Sequence, residues 1–141
     1  VSNSNLHLMK KFYYYTPRVV DAFIMVQTLF FKFGFGGAGA LQESKNLFSA
    51  VTQFFFGNPD LEGLMRIGTG AGELVASVLL FVPKFSKYGG LMTLGLMSGA
   101  ITTHLLVLGI VYNDDGGTLF LMACIALISG GKAFLDDKKL K

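Results

Sequence analysis

Charged side chains are scarce in this chain, since they make up only 15% of its 141 residues. A soluble domain usually contains about 25% charged residues. Here hydrophobic residues reach 52%, and the mean hydropathy is +0.54. This composition excludes an ordinary soluble domain and predicts an integral membrane protein, with the lipid bilayer as its first partner. The chain length predicts a single membrane domain over residues 1–141.

Cysteine is nearly absent as well, since the chain contains one, Cys124. This excludes an intrachain disulfide and a Cys-x-x-Cys redox pair. Cys124 is interpreted as a small hydrophobic residue of an apolar helix. The apolar segments also contain few side chains that bind metals, so no metal site is predicted. No arrangement typical of serine or cysteine hydrolases stands out.

The basic surplus of the chain does not have the distribution of a nucleic-acid-binding surface. The net charge is +3 and the pI is near 9.0, but the basic residues lie at the ends of apolar segments rather than on one polar face. No nucleic-acid partner is therefore expected. The run GFGGAG at 34–39 matches the dinucleotide fingerprint formally, but no strand precedes it, and it is interpreted as a helix end and turn.

Four apolar segments predict the fold, an all-α integral membrane bundle of four transmembrane helices at about 19–35, 58–82, 88–112 and 118–135. The strongest signal is the run from Tyr88 to Asn113, which contains no Asp, Glu, Lys or Arg. A short amphipathic interfacial helix is predicted at about 41–56, because apolar residues recur there at a spacing of three or four. These residues are Leu47, Phe48, Val51, Phe54 and Phe55.

The first apolar segment also has the features of a signal peptide. It follows basic residues and precedes the small-residue triplet 38–40. We expect it instead to be a retained transmembrane helix, anchored at the interface by tyrosines 13–15 beside Lys10 and Lys11.

The basic residues predict the orientation of the bundle, because cytoplasmic loops are enriched in Lys and Arg. We expect a multi-pass protein of the bacterial inner (plasma) membrane with both termini in the cytoplasm. With four spans, most of the twelve basic residues then lie on the cytoplasmic side, namely Lys10, Lys11, Arg18, Lys84, Lys87, Lys132, Lys138, Lys139 and Lys141.

Three of the predicted helices each carry one polar stripe at helical spacing. The stripes contain Asp21, Met25, Thr28 and Lys32 in the first helix, Arg66, Thr69, Glu73 and Ser77 in the second, and Thr93, Met97, Ala100 and His104 in the third. Ionisable groups in apolar helices are costly unless they face the bundle interior. The stripes therefore predict a buried polar pocket of Glu73, His104, Lys32 and Arg66, supported by Thr28, Thr69 and Ser77, in which Glu73 pairs with Lys32 or Arg66.

Structural roles for the same residues remain open at this level. Lys32 and Arg66 can extend to the membrane interface, and Asp21 is interpreted as an interfacial residue near the inner end of its helix. His104 can be packed against a backbone carbonyl. A purely structural ion pair of Glu73 would hold helices together without binding any ligand.

The second and third predicted helices resemble those of the DoxX family of small bacterial four-helix membrane proteins. The similar features are the lysine of 31–33 near the end of the first helix, the Gly-Glu-Leu of 72–74, the Leu-Phe-Val-Pro of 80–83 before a basic turn, the Ala-x-x-x-His of 100–104, and the NDDGG of 113–117. The resemblance implies association with quinol oxidase or thiosulfate:quinone chemistry. Relatives that handle disulfides use cysteine pairs, which this chain lacks.

The residues and the resemblance together predict an accessory or ligand-binding subunit linked to quinone-dependent membrane redox chemistry. Glu73 and His104 would contact the ligand or exchange protons. No intrinsic cofactor and no catalytic activity of its own are expected, and quinone is the expected small molecule. The expected protein partners are other membrane subunits or further copies of the chain. A structural or assembly subunit of a larger complex and a small-molecule transporter are the alternatives.

Overall fold

The computed structural model describes residues 2–136 and is all-α, as predicted. Its α-helices are α1 (Asn3–Phe33), α2 (Ala38–Phe56), α3 (Glu62–Phe81), α4 (Ser86–Thr103) and α5 (Thr118–Asp136). A 3-10 turn at Pro59–Leu61 leads into α3, and a π-helical turn at His104–Leu108 continues α4. Lys138, Lys139 and Lys141, which contributed to the predicted orientation, lie outside the described residues.

Helix α1 is longer than the predicted first span, because it begins at Asn3 rather than near residue 19. Pro17 lies inside it and cannot donate a backbone hydrogen bond. The Thr16 hydroxyl donates to the Phe12 carbonyl, and the Arg18 guanidinium donates to the Tyr14 carbonyl, so side chains support the backbone around the proline. At about 1.5 Å per residue, α1 exceeds the roughly 30 Å hydrocarbon core of a bilayer.

The chain bends by 96° between α1 and α2. Gly34 ends α1 with a φ of 80°, a left-handed conformation that glycine adopts without steric cost. Helix α2 therefore runs across the end of α1, and its Leu47, Phe48 and Val51 are buried. The amphipathic pattern therefore predicted which side of α2 is apolar, and the structure packs Leu47, Phe48 and Val51 onto the end of the bundle.

Several long apolar helices make the chain suited to membrane insertion. In the part of the chain that the structure describes, three helical segments are long and apolar enough to cross a membrane: Pro59–Phe81, Ser86–Leu108 and Thr118–Asp136. The bent pair of α1 and α2 raises this number to four when it is counted as one span. The structure thus supports three or four spans.

Glycines place α4 close to both of its neighbours. A Cβ atom added to Gly89 would lie 2.7 Å from the backbone nitrogen of Leu80 in α3, and one added to Gly90 would lie 2.9 Å from that of Phe134 in α5. Around these crossings lies the main apolar core, formed by Ile24, Met25, Ala76, Leu80, Met97, Ala123, Ala126 and Ala133.

One end of the bundle is rich in lysine, and we call it the basic end. Lys132 of α5 lies 5.6 Å from the ring centroid of Tyr13 in α1, and Lys87 lies 5.3 Å from that of Phe134. The N-terminal part of α1, the turn between α3 and α4, and the end of α5 therefore meet at this end. Helix α2 and the turn after α4 lie at the other end of the bundle.

Candidate ligand pocket

The site forms around an ion pair between α1 and α3. Lys32 Nζ lies 2.8 Å from Glu73 Oε2, and both side chains are at least nine-tenths buried. The sequence offered two cations for Glu73, and the structure pairs it with Lys32. A buried ion pair of this kind needs further hydrogen bonds, because removal of both charges from water is costly.

Hydroxyl groups supply part of this support. Thr28 Oγ1 lies 3.0 Å from Glu73 Oε2 and accepts a hydrogen bond from Lys32 Nζ at 3.1 Å. One turn further along α3, Ser77 donates to the Glu73 carbonyl at 2.7 Å. Thr69 donates to the Met65 carbonyl at 2.8 Å and lines the pocket beside Glu73. Thr28 therefore binds the ion pair directly, whereas Ser77 bonds the backbone of α3.

Arg66 lies outside the pocket lining. Its Nε lies 3.0 Å from Glu62 Oε2, and its Nη1 donates at 2.5 Å to the Lys32 carbonyl. Glu62 is one helical turn from Arg66, and the long arginine side chain reaches the carbonyl end of α1, where a positive charge is favourable. Arg66 thus supports the backbone of Lys32 rather than the Glu73 carboxylate.

His104 lies in the wall of the same cavity and is 6% exposed. Its Nδ1 lies 2.9 Å from the Gly109 carbonyl oxygen. Because a carbonyl oxygen only accepts, Nδ1 carries the hydrogen, and in the neutral imidazole Nε2 is left as an acceptor. Among the described residues, no hydrogen bond joins His104 to Glu73; the two groups share the cavity.

The turn that holds His104 explains why the α-helix ends earlier than predicted. The Gly109 N–H bonds to the His104 carbonyl at 2.7 Å, five residues back, and this closes the π-helical turn. Gly109 then leaves the helix with a φ of 79°. π-Helical turns often occur at functional sites, and this one directs the imidazole toward α5, where it contacts the Phe120 ring edge-on at 5.9 Å.

The cavity between these groups has a volume of about 300 Å³, at the lower end of small-molecule sites. All five α-helices and the turn after α4 contribute to its walls. Its polar side chains are Thr28, Lys32, Thr69, Glu73, Thr103 and His104. The remainder of the wall is apolar and includes Ile24, Met25, Phe31, Leu47, Phe48, Val51, Met65, Leu96, Met97, Leu108, Leu119 and Met122.

The ion pair in the cavity wall can form further hydrogen bonds. Glu73 Oε2 is engaged by Lys32 and Thr28, whereas Glu73 Oε1 accepts no hydrogen bond from the described residues. Lys32 uses two of its three N–H donors. The pocket can therefore take an apolar molecule whose head group exchanges hydrogen bonds with Glu73 Oε1, with the third lysine N–H, or with His104 Nε2.

The loop before α5 follows the turn that holds His104, and its Asp115 interacts electrostatically with His104. Asp115 accepts backbone hydrogen bonds from Tyr112 at 3.1 Å, from Gly117 at 2.8 Å and from Leu119 at 3.1 Å. Burial acts to raise the pKa of the Asp115 carboxyl, but these three N–H donors outweigh it and lower the pKa below its usual value. The NDDGG motif thus builds a capped turn at the start of α5.

The sequence patterns missed a second buried cluster near the basic end. Arg18 and Asp21 are both fully buried in α1, whereas Asp21 had been interpreted as interfacial. The available signal was the spacing of Arg18, Asp21 and Met25, which extends the stripe toward the N-terminus. Gly95 and Gly99 of α4 both line the cavity and have open space beside them.

No family model, curated protein or solved structure matches this chain. The resemblance to the DoxX family therefore remains a prediction from sequence motifs. Within residues 2–136, no group of three or more His, Cys, Asp and Glu side chains is arranged to hold a metal ion. The candidate site is thus defined by its own geometry, as an ion pair and an imidazole in the wall of an apolar cavity.

Proposed function

We propose that this protein is a DoxX-like membrane protein that binds an apolar small molecule with a polar head group in the cavity. In this role it serves quinone-dependent redox chemistry as an accessory subunit. The observation that carries the proposal is the ion pair of Lys32 and Glu73 in the cavity wall, in which Glu73 Oε1 has no hydrogen-bond donor among the described residues. An ion pair that only held helices together would gain nothing from an adjacent cavity.

The hydrogen-bonding pattern supports a quinone-type ligand. A quinone carbonyl would accept from the third N–H of Lys32, and a hydroquinone O–H would donate to Glu73 Oε1 or to His104 Nε2. The apolar walls suit a ring and a short hydrocarbon chain. The resemblance to a family associated with quinone chemistry points to the same class of molecule.

The location proposed for this function is the bacterial inner membrane, with both termini in the cytoplasm. Lys87 and Lys132 lie at the same end of the bundle as the N-terminal part of α1. The positive-inside rule then directs this basic end toward the cytoplasm. The cavity, which lies toward the α2 end, would be in the outer half of the membrane.

A binding measurement tests the proposal. The protein, reconstituted in lipid nanodiscs, is titrated with a short-chain quinone and with its hydroquinone, and binding is followed by quenching of tyrosine fluorescence. Glu73→Gln removes the charge at nearly constant volume and is expected to weaken binding by about 10-fold or more, as expected for a hydrogen bond to a charged group. His104→Ala should weaken it less.

The matched control is Glu62→Gln, which neutralises a carboxylate on the same helix, outside the cavity lining. It should leave the affinity unchanged. Equal affinities for wild type, Glu73→Gln and His104→Ala would overturn the proposal, and so would failure of both forms of the ligand to bind.

Exposed aromatic residues favour an assembly subunit as the second candidate function. Phe54, Phe55 and Phe56 end α2 with exposures of 57%, 45% and 58%. Three adjacent exposed phenylalanines are typical of a protein or membrane contact. Replacement of all three by serine should reduce the size of any complex isolated from membranes in mild detergent, and an unchanged size would exclude this role for them.

A further inference from the structure

A second ionisable site lies on α1, closer to the basic end than the cavity does. Arg18, Asp21, Met25, Thr28 and Lys32 follow one stripe of α1 at spacings of three and four. Met25, which is fully buried, separates Asp21 from the ion pair of Lys32 and Glu73. Asp21 does not line the cavity, so it belongs to a different site from the proposed ligand pocket.

Asp21 is a buried acid whose oxygens have no hydrogen-bond partner in the part of the chain that the structure describes. Its side chain is fully buried, and among the described residues neither Oδ1 nor Oδ2 has a hydrogen-bond donor. Buried polar groups are almost always hydrogen-bonded, so each exception requires an explanation. An ionised carboxylate in this setting has lost its water without gaining donors, which is the costliest state for the group.

Within residues 2–136, the hydrogen bonds shown for the neighbouring arginine go to neutral oxygen atoms. Arg18 Nε donates to the Ser86 hydroxyl at 2.8 Å, and Nη2 donates to the Ala133 carbonyl at 3.1 Å. Its guanidinium also lies 3.5 Å from the centroid of the Tyr14 ring. These contacts join α1 to α4 and α5. Arg18 acts on Asp21 through space, but its hydrogen bonds to these three residues do not satisfy the Asp21 oxygens.

In the described parts of α3, α4 and α5, the groups packed around Asp21 are uncharged. A Cβ atom added to Gly130 of α5 would lie 3.1 Å from Asp21 Oδ2 and 2.7 Å from the methyl group of Thr93 in α4. Helix α3 contributes Ala76 and Leu80 to the adjoining core. Among the described residues, Arg18 is therefore the charged group that acts on Asp21, and the backbone of α5 closes over the acid.

From this arrangement we infer that the Asp21 carboxyl is a proton-binding site, occupied by a proton while α5 is packed over it at Gly130. The reaction is a simple protonation, in which one carboxylate oxygen takes up H⁺ from water and a neutral carboxylic acid results. No electron is transferred. Release of the proton requires α5 to move away from α1 so that water can reach the carboxylate. The inference does not depend on the proposed function.

Infrared spectroscopy of the protein in a detergent that contains no ester or carboxyl group tests this inference at neutral pH. The wild type should show the C=O stretching band of a protonated carboxylic acid, with the expected shift in heavy water. Asp21→Asn should abolish this band. Glu73→Gln is the matched control and should keep it, because Glu73 is paired with Lys32.

Loss of the band in Asp21→Asn but not in Glu73→Gln would support the inference, whereas its persistence in Asp21→Asn would overturn it. Wild-type protein with isotope-labelled aspartate carboxyls gives a readout that does not depend on folding of the variant. One labelled aspartate should be protonated at neutral pH, and ionisation of every aspartate would overturn the proton-binding role. Quinone binding by Asp21→Asn is measured separately. Its result concerns the ligand pocket and does not affect the test of Asp21 protonation.

Discussion

The two buried polar clusters of α1 differ in what surrounds them. Toward α2, Lys32 and Glu73 face each other at 2.8 Å beside a cavity of about 300 Å³. Toward the basic end, Asp21 lies under the backbone of α5 with no space for a methyl group at Gly130. The first cluster has its charges paired and has room for a ligand, whereas the second is closely packed and its acid has no hydrogen-bond donor within residues 2–136. Buried charge alone therefore does not distinguish a ligand site from a packed one; the space beside the charge does.

The largest effect should come from breaking the pair at the cavity. Lys32→Met leaves the Glu73 carboxylate buried without its cation, and we expect a loss of about 3–5 kcal/mol in the free energy of unfolding. Denaturant unfolding of the purified protein measures it. The double variant Lys32→Met with Glu73→Leu should recover most of the loss, because two apolar side chains can replace a buried pair. If the losses in unfolding free energy of the two single variants add in the double variant, Lys32 and Glu73 do not stabilise the protein as a pair.

A smaller loss is expected when the Arg18 contacts are removed. Arg18→Leu eliminates the hydrogen bonds to Ser86 and Ala133 that tie α1 to α4 and α5, and we expect about 2–4 kcal/mol. The comparison is Arg66→Leu, which removes contacts to Glu62 and Lys32 on the other side of the bundle. Arg18 joins α1 to two other helices, whereas Arg66 joins α3 to α1 alone, so the larger loss is expected for Arg18→Leu, and equal losses would contradict this expectation. The same unfolding assay applies to both.

A test of the packing around Asp21 should give an effect of about 1–3 kcal/mol. Gly130→Ala introduces a methyl group 2.7 Å from Thr93 and 3.1 Å from Asp21, which overpacks the crossing of α1, α4 and α5. The control Gly68→Ala adds a methyl group in open space on α3 and should be neutral or slightly stabilising. The melting temperatures of both variants are compared with that of the wild type. An unchanged melting temperature for Gly130→Ala would show that the crossing can accommodate a methyl group.

The smallest effect concerns the turn next to the cavity. The pKa of Asp115 is lowered in the folded protein by its N–H donors. Its stabilising contribution is therefore complete above the unfolded value of 3.8 and is lost as the pH falls through the lower folded value. We measure how the melting temperature falls as the pH is lowered. This fall should be less steep in Asp115→Asn, because the variant lacks the carboxylate that takes up a proton. An unchanged pH profile would indicate that the turn is held by other contacts.

Much of the fold follows from patterns that the sequence displays locally. The uncharged run from Tyr88 to Asn113 predicted an apolar helix, and the spacing of Leu47, Phe48 and Val51 predicted an amphipathic one. The start of α1 was harder to locate, because the tyrosine-rich segment before Pro17 has no strong helix pattern and a proline inside a helix removes a backbone hydrogen bond. The end of α4 was also missed. The π-helical turn depends on the bonds between His104 and Gly109, and helix periodicity does not predict these bonds.

The candidate site was predictable in its residue types but not in its partners. Helical spacing brought Thr28 and Lys32 onto one face of α1, and Thr69, Glu73 and Ser77 onto one face of α3. Which cation meets Glu73 depends on the rotation and depth of two helices, and these are set by packing. Arg66 was available by spacing but is engaged by Glu62 and the end of α1.

By itself, the sequence determined that this chain is an all-α protein with long apolar helices and polar stripes on three of them, because hydropathy and periodicity act within each helix. The tertiary structure decided which stripes meet, where a cavity is left, and which acid of the described residues is buried without a hydrogen-bond donor. Those outcomes depend on close approaches at Gly89, Gly90 and Gly130 and on the bend at Gly34. Contacts between distant segments cannot be deduced from the spacing of residues within one helix.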